Sequence, residues 1–217
     1  MTTPKSAPGS SRNGSFIWIG ALVVVVLLGI AAVVIARGGS DDEPVDGQTS
    51  ETSASDSSLP EYDATLSEDP TVGMTIPTVT GKDFAGDDIT ISGDDGKAKV
   101  IVFVAHWCPH CQREIPLLAE HLADNPMPDD VELLTVSTSV KPGADNYPPA
   151  EWLESEGWSA PVLADDENSS VAQAYGLSAF PYFVVVDAEG KVVARASGEL
   201  TTDEFDAAVE AAQAGPA

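Results

Sequence analysis

The feature that most constrains this chain is a junction. The apolar run VIVFVA, Val100 to Ala105, leads within three residues into Cys108-Pro109-His110-Cys111. A short continuous apolar run without alternation reads as a strand buried on both faces, at the centre of a covered sheet. The segment from Cys108 to Asp124 reads as a helix, because Ile115, Leu118 and Leu122 recur at helical spacing. A buried strand therefore delivers the chain to a helix that opens with two thiols.

The flanking sequence continues the same architecture. Ile76 to Val79 and Ile89 to Ser92 read as short strands about a Gly/Asp-rich turn, and Val131 to Ser137 as a second buried strand. Short helices are predicted from Pro148, Pro149 and Trp152, and over Ser169 to Tyr175. Tyr182 to Asp187 and Lys191 to Ala196 form a hairpin across Ala188-Glu189-Gly190. A closing helix starts at Thr201, with Glu204 completing a capping box. Strands alternating with helices give an α/β fold, a central mixed β-sheet flanked by helices.

The cysteine spacing points to chemistry rather than to a staple, since so short a loop barely restricts the unfolded chain. A thiol at the start of a helix faces unpaired N–H groups and the positive end of the macrodipole, which favour its thiolate. Cys108 is thus the candidate attacking thiol and Cys111, one turn on, the candidate resolving thiol, with a Cys108–Cys111 disulfide as the oxidised form. Pro109 suits a first helical turn, where its missing N–H is not needed.

The stretch VIVFVAHWCPHCQREIPLL resembles the thioredoxin superfamily, and most closely its membrane-tethered TlpA/ResA-like branch of thiol–disulfide oxidoreductases. Pro116 matches the proline of that family's active-site helix, and Phe180-Pro181 before FVVVDAEGKVV matches its cis-proline loop and edge hairpin. PVLA and DDENSSVAQAYG resemble the segment leading into that loop, so the likeness covers roughly residues 71–213. It implies a thioredoxin-like fold, with Pro181 cis and facing the cysteines. It further implies a backbone at Phe180 that pairs with an extended substrate segment, and Trp107 as a platform beside the cysteines. Glu114 matches an acid of the ResA-like branch that accepts or relays the Cys111 proton; the alternative is a solvated acid of the first helical turn. One position departs from thioredoxins: Val102 replaces their buried aspartate.

The direction of electron flow stays open. The surrounding scaffold resembles tethered reductases, whereas the Pro109-His110 pair resembles the DsbA-like oxidants. A His110 that donates toward Cys108 would stabilise the thiolate and the reduced protein. A rival of another class is copper or zinc binding by Cys108, Cys111, His106 and His110, although their placement makes convergence on one ion doubtful. The dithiol reading needs no cofactor and no metal, and takes protein thiols and disulfides as substrates.

The amino-terminal region adds an address. Phe16 to Ala36 holds no charged residue, and at ~1.5 Å per residue it makes about 31 Å of helix, matching a hydrocarbon core of ~30 Å. Trp18 suits the membrane interface. A transmembrane anchor over residues 16–36 is therefore expected. A cleaved signal peptide is the alternative, with Val34 and Ala36 leaving a small-residue site open, but its apolar core is ordinarily about 7–15 residues. Lys5 and Arg12 precede the run and Arg37 follows it, so residues 1–15 read as a cytoplasmic tail. The remainder reads as extracytoplasmic, a single-pass protein of the cell membrane served by a membrane or extracytoplasmic redox partner. Residues 37–70, rich in Ser, Asp, Glu and Gly, read as an acidic flexible linker and residues 71–217 as the folded domain. All 35 acidic residues lie beyond the apolar run, and the net charge of −25 excludes nucleic acid as a partner.

Overall fold

The structure is a computed structural model that describes residues 1–2 and 48–215. Two compact units divide the chain, Met1–Pro44 and Val45–Ala217, and every element below belongs to the second. The expected span over 16–36 and the cytoplasmic tail, apart from its first two residues, lie outside the described residues. Among the described residues no helix is long and apolar enough to cross a membrane.

In chain order the elements are β1 (Ser53–Ala54), β2 (Val79–Lys82), β3 (Asp88–Ile91), β4 (Ala98–Val104), α1 (Cys111–Asp124), β5 (Val131–Ser137) and α2 (Pro149–Ser155). They continue with β6 (Val162–Ala164), α3 (Ser170–Ala174), β7 (Tyr182–Val186), β8 (Val192–Ser197) and α4 (Thr202–Ala214). The sheet runs β1-β2-β6-β5-β4-β7-β8, with β3 pairing β2 off that path. β4, β5 and β6 are parallel, whereas β7 joins β4 antiparallel, so the sheet is mixed. This is the thioredoxin-like α/β arrangement that the resemblance implied.

β4 sits at the centre because both of its faces are apolar. Val100, Val102 and Val104 pack with Ile115 and Leu118 of α1 and Phe205 and Val209 of α4. Ile101 and Phe103, pointing the other way, pack with Leu134, Val184 and Tyr175. Strand periodicity sends alternate residues to opposite faces, so one strand anchors two cores. Each fully buried aliphatic side chain contributes about 1.5–3 kcal/mol, which fixes the strand that carries the cysteines.

Three expectations change. The strand read over 76–79 lies at Val79–Lys82 instead; Pro77, with no N–H to give a ladder, precedes it. The helix read from Cys108 begins at Cys111. The third change is larger: of the flexible linker read over 37–70, residues 37–47 lie outside the described residues and residues 48–70 are attached to the sheet. Ser53 and Ala54 pair with Thr80 and Val79, and Leu59 is buried in the second core. Leu59 N–H donates to Ala174 O and Tyr62 N–H to Gly176 O. Asp69 pairs with the buried Arg195, which also donates to Pro60 O. Composition hid this arm because main-chain hydrogen bonds and one ion pair hold it, with little apolar surface.

Candidate active site

Beyond β4 the chain turns through Ala105, His106 and Trp107 before reaching Cys108. The Cys108 N–H donates to Ala105 O at 2.9 Å, and Cys108 O accepts from Gln112 N–H at 3.0 Å. Cys108 therefore stands in the turn that feeds α1, one residue pair ahead of the helix proper. Pro109 and His110 are exposed, while Cys108 and Cys111 are both buried free thiols. The Cys108 Sγ–H points at Phe180 O, 3.9 Å away. The Phe180–Pro181 peptide is cis, as the resemblance implied, and the ring of Phe180 meets Trp107 edge-on at 5.9 Å. A second cis proline, Tyr147–Pro148, was not foreseen. The fold thus gathers Trp107, Cys108, Phe180 and Pro181 from two segments more than seventy residues apart.

Behind them lies the acid. Glu114 is fully buried, which removes the reading of a solvated first-turn acid. Its pKa is pushed up from 4.5 to about 7, first by burial and then by the neighbouring Glu199 and Glu204 carboxylates. The Leu200 N–H opposes this, donating to both carboxylate oxygens at 3.1 and 3.2 Å. Cys111, also fully buried, has its thiol pKa pushed far up by burial, with Cys108 and Glu114 acting in the same direction. Val102 lies in the same core as both cysteines. Glu114 follows Cys111 by one helical turn on the same face of α1.

At the mouth stands a charge cluster that sequence reasoning missed. His110 Nδ1 donates to Glu199 Oε1 at 2.6 Å. Arg113 donates from Nε to Glu199 Oε2 at 3.2 Å and from its terminal nitrogen to Oε1. The expectation that His110 donates toward Cys108 is thereby redirected: its Nδ1 is turned to Glu199. Arg113 is the second cation of the cluster, its own pKa held up by the hydrogen bond to Glu199 first. Glu199 is 86 positions from Arg113, and no local pattern marks it.

The metal reading loses its ligands here. His106 is buried, with Nδ1 donating to Asp145 O at 2.8 Å and Nε2 accepting from Lys141 N–H at 3.1 Å. Both ring nitrogens are therefore committed to backbone. Among the described residues no group of three or more His, Cys, Asp or Glu side chains is arranged to hold a metal ion.

A mixed sheet covered on both faces, with a dithiol where its central strand enters a helix and a cis-proline loop opposite, defines a protein of the thioredoxin-fold class. Residues 71–212 match the Redoxin family model, and the chain belongs to that family. The chain is 28% identical over 134 residues to the thiol-disulfide oxidoreductase ResA of Geobacillus thermodenitrificans, covering 62% of this chain and 74% of that one. To ResA of Bacillus subtilis it is 28% identical over 132 residues, covering 59% and 69%. A putative thiol:disulfide interchange protein DsbE from Chlorobium tepidum shares the fold, with a TM-score of 0.54 at 20% identity over 65% of this chain and 96% of that one. MTB dsbF, solved in mixed oxidized and reduced forms, gives a TM-score of 0.50 at 29% identity, covering 62% and 94%. Together these make the protein a TlpA/ResA-like thiol–disulfide oxidoreductase.

Proposed function

We propose that the protein is a membrane-anchored, extracytoplasmic oxidoreductase that exchanges disulfides with protein substrates through Cys108 and Cys111, in the reducing direction. The observation that carries the proposal is the contact between the Cys108 thiol and Phe180 O beside Pro181. A substrate disulfide pairing with the backbone at Phe180 would meet Cys108 and no other thiol.

The chemistry follows from the two environments. The Cys108 thiolate attacks one sulfur of the substrate disulfide, forming a mixed disulfide and expelling a substrate thiolate. Cys111 is buried and stays protonated until a base accepts its proton. Glu114, with a pKa about 7, is matched to that task near neutrality. The Cys111 thiolate then attacks Cys108 Sγ and releases the second substrate thiolate, which takes up a proton. The substrate gains two electrons and two protons, and the protein is left with a Cys108–Cys111 disulfide. A redox partner in or outside the membrane returns it to the dithiol. Trp107 and Phe180 border the approach, while His110 and Arg113, bridged by Glu199, set the charge at its mouth.

Support for the anchor is the sequence: the uncharged run over 16–36, with Lys5 and Arg12 before it. Support for the oxidoreductase class is the similarity to ResA over most of that protein's length, and the reducing direction rests on the resemblance of the scaffold to tethered reductases. The DsbA-like oxidase reading rests on the Pro109-His110 pair alone, and His110 turned toward Glu199 weakens it. Insulin reduction tests the assignment. Cys108→Ser is expected to abolish it, and Cys111→Ser to accumulate mixed disulfides; a fully active Cys108→Ser variant would sink the proposal.

A further inference from the structure

Two charged groups stand against residues that neighbour Cys108 in the chain, and they differ. In one, Arg113 and His110 are bridged by Glu199. The other is Lys141, carried by the loop between β5 and α2 and lying over the Trp107 ring. Among the described residues, Lys82, Lys99, Arg113 and Arg195 each pair with a carboxylate, whereas Lys97, Lys141 and Lys191 form no ion pair; of these three, Lys141 is the one whose ammonium lies against an aromatic ring of the site.

Lys141 is also held in place. Thr138 N–H donates to Val104 O at 3.0 Å, and the Trp107 indole donates to Ser139 O at 2.8 Å. Lys141 N–H donates to the buried His106 ring, and the same ring donates to Asp145 O. The loop is thus fastened by its main chain to the two residues that precede Cys108. The exposed ammonium lies 3.3 Å from the centroid of the Trp107 ring. That ring meets Phe180, whose carbonyl accepts from Cys108. An ammonium has three donors, and one aromatic face leaves donors free for an oxygen acceptor.

We propose that Lys141 is a specificity-determining residue that takes the carboxylate of an Asp or Glu flanking the target cysteine of a protein substrate. The inference rests on the functional reading above, in which the substrate lies along Phe180. The acidic surface repels such a substrate at long range, but beyond ~8 Å that repulsion is largely screened at physiological salt. Contact with Lys141 then sets the choice among substrates already at the site.

The test uses the reduced full chain and three peptides, identical except that the residues flanking a single cysteine are acidic, neutral or basic. Each cysteine is joined by a disulfide to thionitrobenzoate, so attack releases a coloured thiol. Second-order rate constants are measured by stopped flow, and the quantity read is the acidic-to-basic ratio within each variant, which cancels any general loss of activity. The wild type is expected to prefer the acidic peptide by about two- to fivefold, the range an exposed ion pair supports. Lys141→Met should bring the ratio to about one, Lys141→Arg should keep it, and Lys141→Glu should invert it. A ratio that is the same in the wild type and in Lys141→Glu, or a wild type that prefers the basic peptide, overturns the assignment of Lys141. A wild type that reacts with none of the three peptides overturns the functional reading itself.

Discussion

Replacing Glu114 with glutamine separates the cost of the buried acid from its use. The rise in its pKa from 4.5 to about 7 is worth about 3 kcal/mol at ~1.4 kcal/mol per unit. The sign follows from linkage. Between those two values the folded protein holds a proton that the unfolded chain has lost, so stability falls as pH rises through the window. Below about pH 4.5 both states carry the proton and Glu114 costs nothing of this kind. Above about pH 7 both have lost it, and the whole penalty is present. Glutamine keeps an oxygen for the Leu200 N–H without a charge to bury. In urea titrations of the dithiol form, the advantage of Glu114→Gln over wild type should therefore be near zero at pH 4.5 and reach about 3 kcal/mol by pH 8. The same variant should lose activity above pH 7, where wild type has a carboxylate to accept the Cys111 proton. An advantage that does not change with pH would refute the reasoning, because burial of a charge would then not be what raises the pKa.

Three further outcomes are expected. Glu199→Gln leaves Arg113 uncompensated beside Cys108, which should favour the thiolate and raise the reduction potential; a tenfold change in the equilibrium with glutathione corresponds to about 30 mV, and a lowered potential would count against the cluster's role. Asp69→Ala strips the buried Arg195 of its carboxylate and should cost about 3–5 kcal/mol of stability, read by urea unfolding. Gly176→Ala should loosen residues 48–66, since a Cβ there would sit 2.2 Å from Pro60 O at a φ of +71°; limited proteolysis of that arm reports it.

What could be read from the sequence was local and periodic. VIVFVA announced a strand buried on both faces, and Thr201 with Glu204 announced the cap of α4, whose reciprocal bonds are present. The junction with Cys108 and Cys111 carried the site, and the cis Phe180–Pro181 loop came through resemblance alone. The remainder depends on partners far apart in the chain. β1 has two residues and β6 three, too few for a period to show. Asp69 and Arg195 are 126 positions apart, so nothing local told a tether from a docked arm. Glu114 was partly legible: three residues after Cys111, it shares the inward face of α1. The partner of the buried carboxylate is the Leu200 N–H, 86 positions away.

That loop has a consequence for how such proteins are compared. Glu199 and Leu200 are adjacent, yet they address different groups of the site. Glu199 bridges the exposed cations at the mouth, and the Leu200 amide grips the buried acid behind. The loop from Gly198 to Thr201 therefore holds both the exposed cations and the buried acid without belonging to the Cys-X-X-Cys segment. Two relatives with the same Pro-His dipeptide and different residues here should differ in potential. Conversely, transplanting this loop is a route to retune the enzyme while leaving its cysteines, proline and helix untouched.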